Sequence, residues 1–72
     1  MKYFLIIWVC SFGSPINCGP AMVQDLTYNT WNDCAIAAHA ESVKILQDMG
    51  PDLVNQYRLG TRYNCRLKPD GV

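Results

Sequence analysis

The side chains of this 72-residue chain with most chemistry to offer are four cysteines, one histidine and six acids. Cys10, Cys18, Cys34 and Cys65 have seven, fifteen and thirty residues between them in turn. No C-x-x-C occurs, and the gaps match no zinc-ribbon or zinc-finger spacing. An even number of cysteines in so small a chain reads first as two disulfides, with three connectivities open. The competing reading is four buried thiols in a reducing cytoplasm, because free cysteine packs as a small hydrophobe. Disulfides imply an oxidising compartment: extracellular, periplasmic or virion-associated. His39 has no metal or catalytic partner at a useful spacing, since it lies five residues from Cys34 and off its helical face. Asp33, Glu41 and Asp48 gather on one solvated helix face rather than forming an acid–base pair. No glycine-rich phosphate loop, nucleophile elbow or H-E-x-x-H is present. The expectation is a non-enzymatic chain with no catalytic residue, metal, cofactor or small-molecule substrate. A thiol or metal-binding protein is the alternative if the cysteines are free.

Six Lys and Arg balance six Asp and Glu, so the formal net charge is zero. Binding to phosphates needs a basic excess, and nucleic acid is therefore not an expected partner. Arg58, Arg62, Arg66 and Lys68 make a modest basic cluster, which reads as a solvated edge. Half of the residues are apolar, which excludes disorder driven by charge and low hydrophobicity. A chain of this length buries only about 60% of its unfolded surface. Staples, a second chain or both are expected to supply what its core lacks. Zero net charge favours self-association over colloidal repulsion.

The elements that position these groups begin with residues 1–12, MKYFLIIWVCSF. A lysine followed by an apolar run resembles a signal segment, with Ser11 and Gly13 as small cleavage-site residues. That reading makes the chain an exported envelope protein. Cleavage after Gly13 would, however, discard Cys10 and leave an odd cysteine, and the run is β-branched and aromatic. It is too short for a transmembrane helix, which needs about 20 apolar residues. The preferred expectation is a strand over residues 2–12. Side chains alternate along a strand. Tyr3, Leu5, Ile7 and Val9 then share one face, and Phe4, Ile6, Trp8, Cys10 and Phe12 the other. A strand apolar on both faces is buried on both, and a single helix covers only one. Phe4, Ile6 and Trp8 are thus the candidate interface, facing a second copy or another protein.

Residues 13–20 read as a loop from their Gly and Pro, and residues 21–28 as irregular. Thr30 is a good N-cap, Asp33 follows three residues on, and Gly50 with Pro51 marks a helix end. The helix over residues 31–49 puts Trp31, Cys34, Ala35, Ala38, Ser42, Ile45, Leu46 and Met49 on one wide face. Pro51 opens a helical turn over residues 51–58. Residues 61–68 alternate as a strand, with Thr61, Tyr63, Cys65 and Leu67 inward and Arg62, Asn64, Arg66 and Lys68 outward. Cys34, on the helix above that strand, is the natural partner of Cys65. Cys10–Cys18 then pins the loop to the first strand. A helix crossing between two strands implies parallel pairing and a right-handed connection. The expected fold is a single small α+β domain over residues 1–72, with a two-strand, one-helix β-α-β layout. Its sheet would be extended by oligomerisation.

The opening run, Cys18, the N-x-W-N-D-C start of the helix at residues 29–34 and the V-N-Q-Y-R…R-Y-N-C ending at residues 54–65 resemble a group of proteins. These are short four-cysteine proteins of marine tailed phages and marine metagenomes. The resemblance implies that four cysteines and an uncleaved hydrophobic start recur as a pattern. It brings no activity, cofactor or catalytic residue with it.

Overall fold

A computed structural model of the chain describes residues 2–68. Strand β1 (Lys2–Ser11) is followed by β2 (Asn17–Cys18), β3 (Met22–Tyr28), helix α1 (Trp31–Met49), helix α2 (Pro51–Tyr57) and strand β4 (Leu59–Lys68). The architecture is α+β, with one four-stranded antiparallel sheet and two helices.

β1 is apolar on both faces and sits in the middle of the sheet. On one side β4 pairs with it residue for residue, from Lys2↔Lys68 to Ser11↔Leu59. The other side is shared. β2 pairs at Cys10 and Ser11, and β3 pairs from Tyr3 to Ile7. This corrects the two-strand β-α-β layout and its parallel pairing. The helices do connect two parallel strands, but these are β3 and β4, each antiparallel to the β1 strand between them.

Residues 22–28, expected to be irregular, form β3. Their register shifts between Phe4↔Thr27 and Ile6↔Val23, so Gln24, Asp25 and Leu26 stand opposite Leu5 alone. A bulge of this kind bends a strand and breaks the ladder. It also erases the period-two pattern by which a strand is recognised.

The start of α1 is held by Thr30, whose Oγ1 accepts the Asp33 backbone N–H at 3.1 Å. At the far end the Gly50 N–H donates to the Leu46 carbonyl at 3.1 Å, with φ of 89° at Gly50. Glycine adopts that conformation without a Cβ penalty, and Pro51 starts α2 directly behind it. Thr30→Ala removes the cap and should cost about 1 kcal/mol. In a domain of this size that lowers Tm by about 4–8 °C, which a circular dichroism melt reads directly.

The core lies between α1 and one face of β1 and β4. Leu5, Ile7, Cys34, Ala38 and Cys65 fill it, with Tyr3, Tyr28, Ile45 and Tyr63 packed around them. Ala38 is fully buried, and its small side chain lets the helix approach the bulky strand residues. Burying Leu5 and Ile7 contributes about 1.5–3 kcal/mol each. A polar stitch adds to this contact. The Thr61 hydroxyl donates to Ser42 Oγ at 2.6 Å, and Ser42 donates to the Ala38 carbonyl at 2.7 Å.

The end of β1 is tied to the turn that leaves α2. Ser11 Oγ donates to the Tyr57 carbonyl at 2.6 Å, and the Phe12 N–H to the Arg58 carbonyl at 2.9 Å. β1 stops at Ser11 rather than at residue 12. β4 starts at Leu59, two residues before the expected strand. Gly60 reads as a stop signal in the sequence, yet it lies within the strand, beneath the Phe12 ring. A Cβ there would come within 2.8 Å of that ring.

Candidate functional site

Residues directly opposite one another in an antiparallel pair share a face. The register therefore fixes what surrounds the expected interface residues on the sheet face turned away from the core. Phe4 lies opposite Arg66 on one side and Thr27 on the other. Ile6 lies between Asn64 and Val23, Trp8 opposite Arg62, and Lys2 opposite Lys68. The result is an apolar row, Phe4, Ile6 and Trp8, bordered along β4 by exposed cations.

Exposure within this row is uneven. Ile6 is only 8% exposed, because its sheet neighbours already cover it, whereas Phe4 and Trp8 remain partly exposed. Val23, at 62% exposed, extends the apolar surface onto β3. The sequence reading did not include Val23, because it takes its place beside Ile6 only through the pairing of β3. Two shallow grooves cross the face. One is lined by Trp8, Cys18, Arg62, Tyr63 and Asn64. The other is lined by Phe4, Val23, Gln24, Asp25, Thr27 and Lys68. Every one of these residues belongs to a strand, so neither helix reaches over either groove.

The two disulfides, Cys10–Cys18 and Cys34–Cys65, sit on opposite faces of β1. Cys65 is opposite Leu5 and lies in the core. Cys10 is on the Phe4–Trp8 side, where its bond to Cys18 holds β2 against the end of the open face. No cysteine is free, and a thiolate nucleophile or ligand is not available while both bonds stand. His39 is exposed and makes an edge-to-face contact with Tyr63, with ring centroids 5.4 Å apart. Among the described residues, no group of three or more His, Cys, Asp or Glu could hold a metal ion. Nor is any helix among them long and apolar enough to cross a membrane.

Comparisons with family models, curated proteins and solved structures find no match. The chemistry of the site therefore rests on its own geometry. A flat sheet face with aromatic and aliphatic side chains at its centre and cations at its rim can bind a complementary surface. Its two grooves are open to solvent rather than enclosed.

A second surface lies on the far side of α1. Cys34, Ala38 and Ile45 turn toward the sheet, while Ile36, at 61% exposed, and Val43, at 55%, face outward. Ala40 is exposed between them. The spacing from Ile36 to Ala40 and Val43 places all three on one stripe of the helix. Asp33 and Lys44 are the charged residues nearest to it on the helix, with Asp48 farther round the same side.

Proposed function

We propose that this chain is a small disulfide-stapled, non-enzymatic module that self-associates through the outer face of its N-terminal strand. The observation that carries this reading is the apolar row Phe4, Ile6 and Trp8 on the central strand, in which Phe4 and Trp8 remain partly exposed. Its opposite face is packed under α1, but among the described residues neither helix lies over this face. A central strand apolar on both sides finds its full burial only when a second layer covers it. An oxidising compartment suits two intact disulfides.

The test is sedimentation equilibrium from micromolar to millimolar protein. The weight-average mass should rise above the 8.1 kDa of one chain as concentration increases. The double substitution Phe4→Thr/Trp8→Thr puts strand-favouring β-branched residues at these positions and removes the aromatic surface. It should hold the protein at the mass of one chain across the same range. A wild-type protein that stays monomeric throughout overturns the proposal.

A further inference from the structure

Zero net charge conceals a strong segregation. The strands carry Lys2, Arg62, Arg66 and Lys68 against one acid, Asp25. The helices carry Asp33, Glu41, Asp48 and Asp52 against Lys44, with Arg58 at the C-terminal cap of α2. The register places all four strand cations on the open face, around Phe4 and Trp8. The helical acids lie on the layer that carries the exposed Ile36–Val43 stripe. The sheet side thus carries a basic rim, whereas the helical layer, with four acids against Lys44 and Arg58, is acidic on balance.

This arrangement discriminates between the ways two copies can meet. A two-fold sheet-on-sheet contact would gather eight cations and two acids in one interface. A two-fold helix-on-helix contact would gather the acids instead. Extending the sheet by antiparallel pairing of two β4 edges about Asn64 sets Arg62 opposite the other copy's Arg66. Like charges directly opposite across strands are destabilising, and charge on an edge strand is a common guard against such pairing. These three symmetric arrangements each set like charge against like. The contact of one copy's sheet face with the next copy's helix face matches charge as well as apolar surface. It also matches length: a ten-residue strand spans about 33 Å and a nineteen-residue helix about 28 Å.

We infer that the open sheet face of one copy is covered by the Ile36–Ala40–Val43 face of α1 from the next. This rests on the self-association proposed above and names its second surface. Such a contact is head-to-tail. It leaves one sheet face and one helix face free at the ends, and it grows into a filament unless the rotation closes a ring. Association should weaken as salt screens the rim charges.

Two variants test the arrangement. Ile36→Lys/Val43→Lys blocks the helix face at two exposed positions, and Phe4→Lys/Trp8→Lys blocks the sheet face, so that the two blocked faces repel one another when the variants are mixed. Each alone should sediment as a monomer, with wild-type circular dichroism. Mixed in equal amounts, they should form a complex of two chains and stop there, because only one intact sheet face and one intact helix face can meet. Self-association of the helix-face variant alone would show sheet-on-sheet contact. Self-association of the sheet-face variant alone would show helix-on-helix contact. A mixture that stays monomeric would show that the intact faces do not meet. Each of these three results overturns the head-to-tail inference while wild-type association still stands. A monomeric wild type overturns both.

Discussion

Replacing Cys34 and Cys65 with alanine should leave the protein largely unfolded at 37 °C, whereas the same change at Cys10 and Cys18 should leave it folded. The two bonds differ in what they close and in what they touch. Cys34–Cys65 joins residues 31 apart, which in the chain-entropy account is worth about 3–4 kcal/mol. Both of its cysteines also belong to the core beside Leu5, Ile7 and Ala38, so truncation opens space in addition to releasing the chain. Globular chains have about 0.05–0.15 kcal/mol of stability per residue, or roughly 4–11 kcal/mol for one this long. The bond is therefore a large share of the total. Cys10–Cys18 joins residues only 8 apart, worth about 2.5 kcal/mol in the same account; Cys10 is buried too but lies outside the cluster under α1, and the bond holds a two-residue strand at the sheet margin. Its removal should lower Tm by about 10–20 °C with the sheet and α1 retained. Thermal melts of the two alanine pairs, followed by far-ultraviolet circular dichroism, check the contrast.

The second large effect separates two neighbours on one strand. Ile7 is fully buried under α1, while Trp8 faces the other way and is half-buried. Ile7→Ala removes three carbons from a closely packed core and should cost about 2–5 kcal/mol, enough to populate the unfolded state at room temperature. Trp8→Thr acts on a face with no helix over it and places a strand-favouring β-branched side chain there. Its cost to the isolated chain should be about 1 kcal/mol. Denaturant titrations at the lowest workable concentration measure both without contribution from association. Equal losses at the two positions would mean that the open face is packed as tightly as the core.

How much of this could be read from the sequence varies by element. Thr30, Gly50 and Pro51 delimit α1 because the groups that cap a helix are local in the chain. The alternation of residues 61–68 shows Cys65 turned inward and Arg62, Arg66 and Lys68 outward, again from local pattern. β3 is hidden because Gln24–Leu26 form the bulge opposite Leu5, so no alternation survives. Without β3 the crossing helices have only β1 and β4 to connect, and the antiparallel order cannot be reached. The candidate site shows the same divide. Phe4, Ile6 and Trp8 stand out as an apolar row from their spacing. Their position beside Arg62 and Arg66 exists only once β4 pairs with β1 in register. Cations that read as a solvated edge thereby become the rim of the apolar face. Near-complete coverage of Ile6 by its own sheet likewise depends on neighbours distant in the chain.

The most direct test of the open face reads Trp8 itself. With Trp31→Phe in place, Trp8 is the only remaining tryptophan. Its acrylamide quenching can then be followed as protein concentration rises through the association range found by sedimentation. Trp8 should become protected, and its emission should shift to the blue, in step with the gain in mass. Growth in mass with Trp8 quenching unchanged would place the contact elsewhere and contradict the central claim.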